Sequence, residues 1–64
     1  MFEIARTKTG EAVHAVREDR ISRTLCGRRA VAIFSDQLIT REGIQHPWRC
    51  ERCSAAIARH YSAH

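Results

Sequence analysis

The stretch CERCSAAIARHY at residues 50–61 decides the fold of this chain. Cys50 and Cys53 are separated by two residues, a spacing that lets two thiolates bind one metal ion from a single turn of chain. From Cys53 onward, Ile57 and Tyr61 recur at every fourth position and predict the inward stripe of an amphipathic helix, which the alanine content also favours. The sequence therefore predicts half of a metal site at the start of a C-terminal helix.

Length and cysteine count explain why a metal would be needed. The 64 residues predict one domain over 1–64, and so short a chain usually needs a disulfide, a metal or a partner subunit. Its cysteines number three, and an odd number argues against a disulfide framework. The N-terminus lacks a basic segment followed by an apolar run, and no stretch approaches the ~20 apolar residues of a membrane span. We therefore expect a cytoplasmic protein, without membrane contact, whose reduced thiols bind a metal.

The N-terminal segment has the character of a β-hairpin. Residues 2–6 alternate apolar and polar side chains, residues 11–16 are compatible with a strand, and Gly10 lies in the turn between them. His14 would lie on the second strand, either among apolar neighbours or on the face opposite Val13 and Ala15.

Further short strands complete the expected fold. They are predicted at residues 21–25 and 30–34, and the glycine of Cys26-Gly27 suits a tight turn whose N–H groups point at a thiolate. The fold class is therefore expected to be α+β. It would be a small zinc-stabilised domain in which the hairpin and these strands precede the C-terminal helix.

Residues 35–49 support two interpretations. Ser35 and Asp36 can cap a helical turn over residues 37–41 that ends at Gly43. A loop anchored by Leu38 and Ile39 is the alternative. Residues 44–49 are expected to be extended, with Trp48 covering the core beside the metal.

The metal site needs a fourth ligand, which a histidine can supply. Structural zinc is bound by four cysteine or histidine ligands in a tetrahedron, whereas iron–sulfur clusters ordinarily use four cysteines, so zinc is favoured. His14 is preferred because it would form a second half-site with Cys26, with eleven residues between them. One Zn²⁺ bound by His14, Cys26, Cys50 and Cys53 would then fix the hairpin to the helix.

Three other histidines compete with His14. His46 is second, because it precedes Cys50 by only four positions, although Pro47 restricts its approach. His60 and His64 share a helix face, but His60 would lie about 10 Å beyond Cys53 along the helix axis. The choice between His14 and His46 stays open at the level of spacing alone.

Three runs carry a resemblance to a known group of proteins. These are VHAV at 13–16, TLCGR at 24–28 and WRCERC at 48–53. They resemble the H…LCG…CxxC pattern of short zinc-finger-like proteins of actinobacteria and their phages, over roughly residues 13–28 and 48–61. The resemblance implies the same four ligands. The cysteine pair that opens the helix is also similar to the second half of a treble-clef finger, whereas the first half differs because a strand histidine replaces a thiolate.

Charge suggests the class of partner. The formal net charge is +4, and a basic domain is attracted to polyanions. Arginines flank both half-sites and should converge near the metal, where they could bind phosphates. The residues predicted to contact nucleic acid are Arg23, Arg28, Arg29, Arg49, Arg52 and Arg59.

The first functional hypothesis is therefore a nucleic-acid-binding or transcription-associated regulatory protein. The alternative is a zinc-stapled adaptor that docks on a larger protein, through an apolar patch of Leu38, Ile39 and Ile44. We do not expect an enzyme, because the sequence has no Gly-rich phosphate loop, no paired carboxylates at useful spacing and no nucleophile–base pattern. If His14 were not a ligand, three thiolates and a water would form an open site of catalytic type.

Overall fold

A computed structural model of the chain describes residues 1–34 and 37–63. No helix within these residues is long and apolar enough to cross a membrane. The elements of the described residues, in chain order, are β1 (Phe2–Thr7), β2 (His14–Arg17), β3 (Arg20–Thr24), β4 (Ala30–Ile33), β5 (Ile39–Thr40), β6 (Gly43–Ile44) and α1 (Glu51–Ser62). The expected α+β class, with strands followed by one C-terminal helix, is confirmed.

Strands β1 to β4 form one sheet in the order β3-β2-β1-β4. The N-terminal hairpin is confirmed, since β1 and β2 are antiparallel with Ile4 opposite Ala15 and Ala5 opposite His14. The second strand begins at His14, later than predicted. Because β2 lies between two neighbours, its first three residues are all buried. His14 is therefore held inside the sheet and is only 4% exposed.

The sheet curls until its outer strands approach each other. The backbone N–H of Thr24 donates to the carbonyl of Arg28 at 2.8 Å, and an isolated antiparallel bridge joins Arg23 to Arg29. The turn between them contains Cys26 and Gly27, whose φ of +96° is a conformation that favours glycine. The predicted tight turn is confirmed, and it brings Cys26 back toward β2.

The helical turn predicted for residues 37–41 is wrong. Ile39 pairs with Ile44 in a two-stranded ribbon, β5 and β6, and the N–H of Gln45 donates to the carbonyl of Leu38 at 2.7 Å. Ile44 is 1% exposed, so the β-branched pair gains more from packing on the core than a short helix would supply. The predicted cap, Ser35-Asp36, lies outside the described residues.

Helix α1 closes the core. Cys53 and Ile57 are fully buried, and Tyr61 packs against the core from the edge with its ring 6.2 Å from that of Phe2. The inward stripe predicted for the helix is therefore confirmed. The buried core cluster consists of Phe2, Ile4, Val13, Ala15, Ile44, Cys53 and Ile57.

Two expectations about apolar side chains are wrong. Trp48 does not cover the core, because it is 66% exposed. It lies in a turn where its backbone N–H donates to His46 Nδ1 at 3.1 Å. Leu38, Ile39 and Ile44 form no exposed patch either. Ile44 is buried, and Leu38 and Ile39 are partly buried against the core.

Gly43 sets how closely β6 approaches the helix. Its φ is +123°, and a Cβ built there would overlap Ser54 Oγ and lie 2.8 Å from the Ser54 carbonyl oxygen. Ser54 Oγ also accepts the N–H of Ile44 at 3.0 Å. The ribbon and the helix are therefore joined through Ser54.

We expect Gly43→Ala to destabilise the folded protein by about 2–4 kcal/mol, because the methyl group adds overlap to backbone strain. Gly10 is the matched control, with a φ of +84° and nothing within 4 Å of the added Cβ. Gly10→Ala should cost only about 1 kcal/mol of strain. Thermal unfolding followed by circular dichroism measures both variants. Equal losses would show that the contact with Ser54 has no energetic role.

Candidate metal centre

Four potential ligands meet at one end of the core. The side chains of His14, Cys26, Cys50 and Cys53 place their ligand atoms within 4.8 Å of one another. His14 Nδ1 lies 3.4 Å from Cys26 Sγ and 3.7 Å from Cys53 Sγ. Around tetrahedral zinc, bond lengths of about 2.0–2.3 Å put nitrogen and sulfur about 3.5 Å apart and two sulfurs about 3.8 Å apart. The group therefore fits one metal ion, and its widest pair would close by about 1 Å.

Backbone hydrogen bonds on either side of His14 bring the two cysteine segments to it. The N–H of Cys50 donates to the carbonyl of Val13 at 2.8 Å. The N–H of Leu25, the residue before Cys26, donates to the carbonyl of Ala15 at 2.8 Å. The main chain on either side of His14 thus contacts both half-sites, through hydrogen bonds that are separate from the ligand atoms.

The two cysteines of the C-terminal half-site have different surroundings. Cys50 is the N-cap residue of α1, with extended backbone and no side-chain cap hydrogen bond, and it is partly buried. Cys53 lies in the first turn and is fully buried within the core cluster. A metal bound here would therefore contact the hydrophobic core on one side and approach solvent on the other.

The protonation state of His14 suits a metal ligand. Burial lowers the pKa of His14, and the positive charges of Arg28 and Arg6 lower it further. A lowered pKa keeps the imidazole neutral near pH 7, and a neutral ring nitrogen is the form that binds a metal.

The thiols differ from one another. Burial acts to raise the pKa of Cys26, but hydrogen bonds to its sulfur, first that of the Thr24 hydroxyl at 3.1 Å, outweigh burial and lower that pKa. Burial raises the pKa of Cys53 to about 12, and the negative charges of the Cys50 and Cys26 thiolates add to the increase. Metal capture at this site is therefore coupled to the release of the Cys53 proton.

The competing histidines lie elsewhere or outside the described residues. His46 accepts the N–H of Trp48 on Nδ1, and it does not belong to the group of ligand atoms. The ring of His60 packs edge-on against Phe2 at 5.2 Å and against Tyr61 at 5.3 Å. His64 lies outside the described residues.

Arg28 and Arg52 are the predicted nucleic-acid contacts that reach the metal centre. Both line a cavity that His14, Cys26 and Cys50 also line. The remaining predicted contacts, which are also exposed, are Arg23, Arg29, Arg49 and Arg59.

These remaining arginines are placed differently. Arg23 donates to the carbonyl of Gly27 at 3.3 Å, and Arg49 pairs with Glu51 at 3.4 Å. Arg59 lies in the last turn of α1, about 10 Å along the axis from Arg52. The expected convergence of both arginine clusters is therefore limited to one residue from each side.

Sequence reasoning missed two residues that support the site. The Thr24 hydroxyl bonds to Cys26 and also accepts the N–H of Arg28 at 2.9 Å, which fixes the Cys26 turn. The threonine two positions before the cysteine is a visible sign of such a turn. Arg6, which acts on His14 through its charge, could not be identified because β1 and β2 must first be paired in register.

Comparison of the chain with family models, with curated proteins and with solved structures finds no match in any of the three. The resemblance to short zinc-finger-like proteins of actinobacteria and phages therefore stays a prediction.

Proposed function

We propose that this chain is a structural-zinc module that binds nucleic acid and acts as a cytoplasmic regulatory protein, not as an enzyme. The observation that supports a metal site is the group formed by His14, Cys26, Cys50 and Cys53, whose ligand atoms lie within 4.8 Å of one another. Three thiolates and one imidazole nitrogen are a donor set typical of structural zinc.

A structural role is favoured because the protein would supply all four ligands. A catalytic zinc ion ordinarily keeps one position for water or substrate. Here Cys53 is fully buried and His14 is 4% exposed, so two ligands face the interior. When bound, the metal supplies cross-linking: it ties β2 and the Cys26 turn to the start of α1.

Nucleic acid is the proposed partner because of the charge and its distribution. The net charge is +4, and all six arginines predicted as contacts are exposed. Arg28 and Arg52 lie on one cavity, and Arg52 is in the first turn of the helix, whose positive dipole end also favours anions. Arginine at such positions suits phosphate contacts.

Fluorescence anisotropy with labelled duplex and single-stranded DNA over a salt series tests this function. We expect binding at about 50 mM salt, with log affinity falling by roughly 0.7–0.9 for each phosphate contact as log salt rises. Protein treated with a chelator is the control, since an unfolded basic chain should bind with a different slope. Absence of binding at low salt, or an affinity independent of salt, would contradict a role on nucleic acid.

An adaptor that binds another protein is the second candidate, and one observation supports it. Strand β4 lies at an end of the sheet order and exposes Val31 by 57% and Ile33 by 36%, with Phe34 next to them at 54%. Exposed apolar side chains at the end of a sheet are typical of protein contacts. Folded, zinc-loaded protein that binds neither form of DNA would favour this candidate.

A further inference from the structure

A cavity of about 510 Å³ lies directly beside the metal centre. One wall is the loop at residues 9–12, which joins β1 to β2. Another contains His14, Cys26 and Cys50. The remaining lining residues are Arg28, which follows the Cys26 turn, and Arg52, in the first turn of α1. Each half-site therefore contributes one guanidinium group to the same cavity.

These two arginines have no carboxylate partner among the described residues. The ion pairs there join Met1 to Glu18, Arg17 to Asp19 and Arg49 to Glu51. The carboxylate that lines the cavity is Glu11, which is exposed and belongs to none of these pairs. The cavity thus has two guanidinium groups and one carboxylate, each available to a ligand.

The negative charge of the thiolates would neutralise only part of the positive charge that the arginines place around the cavity. Three thiolates and a zinc dication leave a formal charge of about −1 on the site. Arg6 and Arg28 both act on His14 through their charges, and Arg52 lies on the same cavity. Against the metal site and Glu11, these three arginines leave an excess of about one positive charge. An anion in the cavity would complete the balance.

We propose that this cavity binds a phosphate group between the guanidinium groups of Arg28 and Arg52. The arginine fork matches the geometry of phosphate oxygens and forms two parallel charge-assisted hydrogen bonds with them. The inference deepens the proposed function and rests on it for the source of the phosphate. In that function the phosphate belongs to the backbone of a nucleic acid. Sequence would not be read at this position, because a phosphate contact fixes position and register.

The other basic surface of the sheet is a weaker candidate for the same role. Arg17, Arg20 and Arg23 line a smaller hollow at the β2–β3 end. Arg17 is paired with Asp19, and Arg23 donates to the carbonyl of Gly27. Of these three, only the side chain of Arg20 has no hydrogen bond or ion pair to a described residue, so this end offers fewer free donors than the cavity.

The test compares two double variants that remove the same charge. Arg28→Gln/Arg52→Gln removes the cavity pair, and Arg20→Gln/Arg41→Gln removes two exposed arginines outside it. With a single-stranded oligonucleotide as the probe, we expect the cavity variant to lose about tenfold or more in affinity and about 0.7 in salt slope. The control variant should lose about threefold or less. Zinc content and thermal unfolding of both variants establish that they are folded.

Glu11→Gln provides a second measurement that does not depend on the arginine variants folding. Removing the carboxylate from the cavity should raise oligonucleotide affinity by roughly two- to fivefold. Equal losses in the two double variants, or no gain from Glu11→Gln, would overturn the phosphate site while leaving nucleic-acid binding intact.

Pyrophosphate is the probe that separates this inference from the proposed function. If DNA does not bind but pyrophosphate binds to the native protein and not to Arg28→Gln/Arg52→Gln, the cavity is a phosphate site and the nucleic-acid function fails. If neither probe binds, both fail. Nuclear magnetic resonance titration of the zinc-loaded protein reports either result, with shifts expected at the amides of Gly10, Ala12 and Arg52.

Discussion

A chelator should unfold the zinc-loaded protein. Structural zinc contributes an apparent 10–16 kcal/mol in zinc-finger peptides near pH 7, whereas a core in a chain of this size supplies about 3–5 kcal/mol. Loss of the metal also leaves Cys53 as a neutral thiol in the core and frees the Cys26 turn from the helix. The expected result is loss of both the helical circular-dichroism signal and the cooperative thermal transition.

Variants test the same claim without a chelator. Cys50→Ala removes a partly buried ligand with little change to the core, and we expect it to abolish the thermal transition. Ser62→Ala, at the other end of α1, is the matched control and should keep it. Elemental analysis should give about one zinc per chain in the native protein and in the control. Folded, metal-free protein with the native transition would refute a structural metal.

Loss of His14 should weaken zinc binding far more than loss of His46. His14→Ala leaves three ligands, and we expect the zinc affinity to fall by at least roughly a hundredfold. His46→Ala should change it by less than about threefold, because His46 Nδ1 is engaged by the N–H of Trp48, outside the ligand group. Competition with a chromophoric chelator measures both affinities.

A third variant guards against a trivial outcome at His14. His14→Ala empties a buried position and could destabilise the sheet without any metal being involved. His14→Cys restores a fourth ligand, and it should recover most of the zinc affinity that alanine loses. Equal losses in His14→Ala and His46→Ala, or no recovery in His14→Cys, would remove His14 from the site.

Local patterns in the sequence predicted most of the fold. The helix from Glu51 follows from the spacing of Cys53, Ile57 and the alanines, and the Cys26 turn follows from Gly27. The segment at residues 37–44 could not be predicted in this way. Its ribbon exists because Ile39 and Ile44 pack on a core built from distant strands, and tertiary contacts of this kind override local helix propensity.

The ligand group was more predictable than the surface around it. Three cysteines and the need for a fourth ligand limit the choice by chemistry, and His14 was preferred because it would form a second half-site with Cys26. No comparable chemical rule indicated which arginines would lie together. Arg28 and Arg52 share a cavity, whereas Arg59 lies at the other end of the helix. This arrangement depends on how the Cys26 turn packs against the start of α1.

The hydrogen bonds that flank His14 have a consequence for the order of folding. The Val13 carbonyl and the Cys50 N–H are distant in sequence, and the chain must close this large loop before their bond can form. The entropic cost of closure rises only with the logarithm of loop length, yet it precedes any stabilising contact. The four ligand atoms can meet only when the same loop is closed, so a bound metal stabilises the topology that the hydrogen bonds flanking His14 also require.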